Sequence, residues 1–311
     1  MNTSRIDALI KNVSRAVKGK PDAVRLAVVA LLGRGHLLIE DVPGIGKTTL
    51  AYSLARSVGG SFQRVQFTSD LLPSDIIGVT VYNQNTQVFE FRQGPLFANI
   101  VLADEINRTT PKTQSALLEA MNEGQVTVER ATLTLPKPFM VIATQNPLEY
   151  HGTFPLPESQ MDRFMMRIRL GYPETADEKA ILRASTAGRA PDMLEPVISA
   201  PDTLELQRQA DMVRLEDSLL DYILAIVDAT RRTDRLVLGV SPRGAIFLQR
   251  AAKAMALVEG RSFCIPDDVK NLAVPVLSHR VMVNVRGGFG RRGEDAEMVI
   301  SDLLQSVEVP V

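Results

Sequence analysis

Apolar residues at Ile6, Leu9, Ile10, Val13 and Val17 recur at helical spacing, so Ser4 to Val17 is expected to form a helix lying on a larger body. A second apolar helix is expected over Pro21 to Leu32. The period then changes. His36-Leu-Leu-Ile, Asn99-Ile-Val-Leu-Ala and Pro138-Phe-Met-Val-Ile-Ala are short continuous apolar runs, the pattern of strands buried on both faces. A helix over Thr49 to Val58 followed by a strand over Phe62 to Phe67 makes a βαβ crossover. Two stretches alternate instead: Gly78 to Phe91, with a polar turn at Asn83-Gln-Asn-Thr86, and Gln125-Val-Thr-Val with Thr132-Leu-Thr-Leu around Glu129-Arg130-Ala131. Alternation about a polar turn predicts hairpins, either as edge extensions of the sheet or as projecting arms. After Gly171-Tyr172-Pro173 the spacing is helical throughout: Asp177 to Ser185, Asp202 to Ala210, Glu216 to Thr230, Ser241 to Val258 and Pro266 to Leu277. Ser199-Ala-Pro-Asp-Thr and Ile265-Pro-Asp-Asp place acids at the positive ends of two of these helices. The expectation is an α/β domain over residues 1–172, a parallel sheet with helices on both faces, hairpin insertions at about 78–91 and 125–135, and a smaller all-helical domain over residues 173–311.

Each of the three apolar strands ends in the kind of polar group that a hydrolytic site needs. The first runs into Asp41-Val-Pro-Gly-Ile-Gly-Lys-Thr48, a Gly-rich turn leading into a helix. Such a turn presents backbone N–H groups and the positive end of a helix dipole to an anion. Lys47 would reach the β- and γ-phosphates and the Thr48 hydroxyl would ligate Mg²⁺. The usual phosphate-loop pattern begins with Gly, and here Asp41 stands in that place. The second strand ends in Asp104-Glu105, where Asp104 would hold Mg²⁺ through water and Glu105 would orient or deprotonate the attacking water. The third ends at Asn146, which could hydrogen-bond the γ-phosphate or that water.

The segments Asp-Val-Pro-Gly-Ile-Gly-Lys-Thr, Leu-Ala-Asp-Glu-Ile-Asn-Arg, Ala-Thr-Gln-Asn-Pro and Leu-Pro-Glu-Ser-Gln-Met-Asp-Arg-Phe resemble, in this order along the whole chain, the MoxR family of AAA+ ATPases. The resemblance implies a P-loop AAA+ domain with a helical lid that binds ATP through Pro43, Gly44, Ile45, Gly46, Lys47, Thr48 and Thr49. It makes Thr48 and Asp104 the Mg²⁺ residues, Glu105 and Asn146 the water- and phosphate-handling pair, Arg163 the arginine finger and Arg243 sensor 2. It further implies adenine covered near Gly19-Lys20-Pro21, hairpins facing the axis of a head-to-tail ring of six, and a sensor 2 acting across the subunit boundary. Relatives of this kind often work with partners bearing a von Willebrand factor A domain, so a protein client is the expected partner. From the residues alone, Arg163 could instead pair with Asp162 or Glu158, and Arg243 could anchor its own helix start.

Charge bears on the partner. Lys and Arg total 35 against 36 Asp and Glu, a net charge of −1, and Gly78 to Phe91 carries no basic residue. That leaves no field for nucleic acid, so a protein-remodelling ATPase is favoured over a nucleic-acid motor or loader. A nucleotide-switched scaffold with little turnover stays open because of Asp41. The single cysteine, Cys264, is expected to pack as a small hydrophobe. With no apolar run of membrane-span length and no signal-peptide pattern, the chain is expected in the cytoplasm, without membrane insertion. Gly287-Gly-Phe-Gly-Arg-Arg-Gly293 reads as a surface loop whose arginines could touch nucleotide or a partner.

Overall fold

The computed structural model describes residues 3–129, 131–147, 153–185, 190–284 and 292–310, so most of the Gly287–Gly293 tract lies outside the described residues. Helices α1 (Thr3–Ala16) and α2 (Pro21–Leu32) precede strand β1 (Leu37–Glu40), helix α3 (Lys47–Ser57) and strand β2 (Phe62–Gln66). The short helix α4 (Pro73–Ile77) carries the hairpin β3 (Gly78–Asn83) and β4 (Val88–Gln93). Then come β5 (Ile100–Asp104), α5 (Pro111–Glu123), the hairpin β6 (Gln125–Val128) and β7 (Ala131–Thr134), β8 (Met140–Gln145), the single turn α6 (Glu158–Met161) and β9 (Met166–Ile168).

Five strands form one parallel sheet in the order β2-β5-β8-β1-β9. Pleat alternation sorts their side chains into two cores. Leu37, Ile39, Ile100, Leu102, Met140 and Ile142 face α1, α2 and α3, while Leu38, Val101, Ala103, Val141 and Ala143 face Ile76, Leu117, Leu118 and Phe164. Both faces are covered, which is why these strands read as continuous apolar runs. His36 is buried at the entry to β1. Its Nδ1 accepts from Val141 N–H at 2.9 Å, its Nε2 lies 2.9 Å from the Met121 carbonyl, and burial pushes its pKa down to about 4.

The remaining elements are α7 (Thr175–Ser185), α8 (Ala200–Met212), α9 (Asp217–Arg232), β10 (Leu236–Leu238), α10 (Pro242–Val258), α11 (Pro266–Leu277), β11 (Met282–Val283) and α12 (Arg292–Ser306). This half differs from an all-helical expectation by the antiparallel pair β10–β11, which Asn284 N–H extends onto the Arg235 carbonyl. Leu206, Ala210, Leu248, Ala251, Leu272 and Val276 belong to the same core as Val24, Val28 and Leu31 of α2, so apolar packing runs unbroken from the sheet body into the lid. Arg167 of β9, buried, adds ion pairs to Glu40 of β1 (2.9 Å) and Glu297 of α12 (2.7 Å). Cys264 is buried, and desolvation raises its thiol to about 12.

The two hairpins differ in setting. In β6–β7, Val126 is buried and Leu133 packs against the second core. In β3–β4, Val79, Tyr82, Val88 and Phe89 are all exposed, with Tyr82 and Phe89 paired across the strands at a ring separation of 5.2 Å. The first hairpin runs to Gln93, two residues beyond the sequence expectation, and so takes in one basic residue, Arg92. Among the described residues, no helix is long and apolar enough to cross a membrane.

Candidate functional site

The turn between β1 and α3 is built on glycine where backbone geometry requires it. Gly44 (φ 84°) and Gly46 (φ 99°) occupy the left-handed region, and the space where a Cβ would stand is open at both. Gly46 caps α3 without any side-chain hydrogen bond, so the first N–H groups of an eleven-residue helix have no capping side chain. Pro43 is exposed and Ile45, Thr48 and Thr49 are partly buried around this turn. Lys47 is only 9% exposed, and its Nζ donates to the Asp41 carbonyl at 2.5 Å. Burial lowers its pKa; the carboxylates of Asp104, Asp41 and Glu105 act in the opposite direction. Three carboxylates from two chain segments therefore act on one ammonium.

The acid pair sits at the carboxyl end of β5, beside β1 only through the intervening β8. Thr144 of β8, fully buried, wires the pair together: its hydroxyl donates to Asp104 at 2.6 Å and accepts from Glu105 N–H at 2.9 Å. Asp104 also takes Arg64 Nη2 at 2.6 Å, and the Glu105 carboxylate accepts from Gln66 Nε2 at 2.9 Å. Arg108 lies 3.4 Å from that same carboxylate. Glu105 itself has φ 56° and ψ 51°, a left-handed conformation uncommon for a residue with a Cβ. Asn146, buried, follows β8 at the same sheet edge. Thr144, Arg64 and Gln66 are functional neighbours that sequence reasoning passed over. The signal was a hydroxyl inside an apolar strand and two polar residues alternating along β2.

Arg163 and Arg243 are brought within electrostatic reach of each other. The half-buried Arg163 guanidinium has its pKa lowered by burial and by the Arg243 cation, with Glu119 and Glu123 of α5 opposing; none of these is a group acting on Lys47. Arg163 Nε is buried without a hydrogen-bond partner. Asp162 is paired elsewhere: its Oδ1 lies 3.0 Å from Arg280 Nε, and its carboxylate accepts from Ser241 Oγ at 2.9 Å. Ser241 in turn caps α10 by accepting from Gly244 N–H at 3.2 Å. The start of α10 is thus held by Ser241, leaving the exposed Arg243 uninvolved in its own helix start. Buried Arg280 completes the bridge by donating to the Phe164 carbonyl and lying over the Phe247 ring at 5.1 Å.

The chain matches the family model described as "ATPase family associated with various cellular activities (AAA)" over residues 36–166, and the AAA lid domain over residues 228–302. It is 50% identical to the uncharacterised protein YeaC of Bacillus subtilis, over 97% of this chain and 94% of that one. It is 40% identical to chaperone MoxR1 of Mycobacterium tuberculosis, over 98% of this chain and 82% of the other. The crystal structure of a candidate ATPase from Cytophaga hutchinsonii superposes with a TM-score of 0.91 at 38% identity, covering 99% of this chain and 96% of that one. Identity of 40% to a MoxR chaperone along nearly the whole chain, together with the AAA and AAA lid matches, makes the chain a member of the MoxR family of AAA ATPases.

Proposed function

We propose that the chain hydrolyses ATP at the β1–α3 turn and uses the cycle to remodel or activate a partner protein. The observation that carries this reading is the convergence on Lys47 of Asp41, Asp104 and Glu105, with Asp104 and Glu105 joined through Thr144. Gly44, Gly46 and the N-terminus of α3 would seat the phosphates, flanked by Pro43, Ile45 and Thr49. Thr48 and Asp104 offer the all-oxygen donor set that a hard cation prefers, and would hold Mg²⁺, which when bound neutralises phosphate charge. Glu105, steadied by Gln66, would orient or deprotonate the attacking water, and Asn146 would fix that water or the γ-phosphate.

Arg163 and Arg243 would complete the site of a neighbouring subunit. A guanidinium with an orphaned buried Nε beside a second cation is unsatisfied within its own chain and complementary to a phosphate. Donation in trans makes the contact head-to-tail, which closes into a ring, here six. The exposed apolar face of β3–β4 suits a protein client, such as one carrying a von Willebrand factor A domain, better than nucleic acid. The sheet body would end near residue 172, with the lid following, and the assembly would work in the cytoplasm.

The test is ATP turnover per subunit against protein concentration, with Mg²⁺ present. A specific rate that rises with concentration and saturates is the expected result. No turnover at any concentration, with ATP still bound, would favour a switched scaffold; retention on single-stranded nucleic acid that falls with salt would favour a motor.

A further inference from the structure

Asp41 stands where phosphate loops carry glycine, and a carboxylate beside a polyphosphate seat opposes binding by Coulomb repulsion. Its polar groups reach in three directions. The N–H donates to the Gln145 carbonyl at 3.1 Å, one residue before Asn146, and the carbonyl accepts Lys47 Nζ. The carboxylate Oδ2 accepts from Leu170 N–H at 2.8 Å and Gly171 N–H at 2.7 Å, while Oδ1 takes Val42 N–H at 2.9 Å. Backbone pairing between β1 and β9 stops at Ile39 and Ile168, so the Asp41 side chain extends, beyond its end, the link between these two chain segments.

The segment so gripped leads on. Tyr172 gives its carbonyl to Lys20 Nζ at 2.6 Å, in the turn between α1 and α2. Gly19 of that turn (φ 68°) lies directly under the Asp177 side chain of α7, with no room for a Cβ. A wall made of residues 170–172, Gly19, Lys20 and Asp177 therefore stands on the β9 side of the phosphate turn. The groups that would handle water and the γ-phosphate (Asp104, Glu105, Asn146) come from β5 and β8, on the other side of β1. A nucleotide with its γ-phosphate toward β8 must extend its nucleoside toward β9 and this wall.

We propose that Asp41 is a positioning residue that ties the phosphate cradle to the nucleoside-side wall, so that the two bind a nucleoside di- or triphosphate as one unit. The proposal rests on the ATP-site reading. It predicts a sign that charge alone does not. Removing the carboxylate lowers the repulsion, yet nucleotide affinity falls because the wall is released from the cradle.

Calorimetric titration of ADP and of inorganic tripolyphosphate, a ligand with no nucleoside, separates these effects in the wild type, Asp41→Gly and Asp41→Asn. Asp41→Gly should bind ADP about tenfold more weakly, the loss expected for one charge-assisted hydrogen-bonded link. Tripolyphosphate affinity should stay the same or tighten, which also shows that the variant is folded. Asp41→Asn, which keeps one acceptor oxygen for Leu170 and Gly171, should fall between. ADP binding unchanged or tighter in Asp41→Gly overturns the proposal, leaving only a repulsive charge. Equal weakening of both ligands also overturns it, since the carboxylate would then shape the cradle alone. A wild type that binds neither ligand overturns the ATP-site reading itself, and the proposal with it.

Discussion

At the carboxyl ends of β5 and β8 every charge is answered from within the chain: Asp104 by Thr144, Arg64 and Lys47, Glu105 by Gln66 and Arg108. At the second site of charge the arrangement inverts, for Arg163 faces the like-charged Arg243 and keeps a buried Nε without a partner. The first region is preorganised, its acids held before any substrate arrives, which is the condition for electrostatic catalysis without reorganisation cost. The second is rigid in position, through Asp162, Ser241 and Arg280, yet electrostatically incomplete. Under the proposed ATP cycle, such a subunit would share sites with copies of itself.

The largest effect should come from the centre of the first region. Lys47→Ala should lose ATP binding in a fluorescence titration, because the other cations of that cluster, Arg64 and Arg108, are paired with Asp104 and Glu105; normal affinity would show the cradle misassigned. Arg163→Ala should keep ATP affinity within a few-fold and lose on the order of 10³ in turnover. Mixing it with Lys47→Ala chains should restore part of the rate, since each supplies what the other lacks. Mixtures that stay inactive would place the arginine pair outside a neighbour's site. A smaller loss is expected from Thr144→Val, which keeps the shape and removes the hydroxyl: kcat down roughly 10- to 100-fold with KM little changed, as for a group that orients catalytic acids. An unchanged kcat would mean that Asp104 and Glu105 are held well enough by β2 alone.

Acid gives the mildest perturbation and acts through two buried histidines, one at the amino end of the sheet and one beside the arginine region. His36 is neutral, with Nδ1 accepting an N–H, and its pKa of about 4 lies below the ordinary 6.5. The unfolded chain therefore binds more protons than the folded one between these values, and stability falls as pH drops from about 6.5 toward 4. Urea melts at pH 7.5 and 5 should differ by on the order of 2 kcal/mol from His36, and His36→Gln should flatten that part of the dependence. His279, beside Arg280 and Arg167, is lowered by burial and by both cations, so it acts in the same direction from the second region. If His36→Gln leaves the slope unchanged, the acid sensitivity belongs to the arginine side.

Much of this was legible in the residues. The apolar runs of β1, β5 and β8, the glycines of the turn, and the acids and Asn146 at strand ends could be placed because each depends on local pattern: pleat period, positive φ, and polarity at an apolar run's end. The lid helices over 200–212 and 242–258 were visible from spacing and entry signals. Arg64 and Gln66 were not, because β2 becomes the neighbour of β5 only through the strand order. The pair β10–β11 escaped notice because three residues and two residues, joined from opposite ends of the lid, carry no periodicity. Asp162 looked like a partner for the adjacent Arg163; the fold gave it to Arg280, which lies 118 residues further on.

What the chain by itself determined was the inventory: which segments must be buried on two faces, where the backbone needs glycine, and which strand ends carry chemistry. Those follow from local sterics and the cost of exposing apolar surface, which act residue by residue. Only the tertiary structure decided the pairings: Thr144 between the acids, Asp162 with Arg280, and the Asp41 carboxylate on the chain that leaves β9. A hydrogen bond or ion pair is a matter of a few tenths of an ångström between segments far apart in sequence, and such distances are fixed by strand order and helix packing alone.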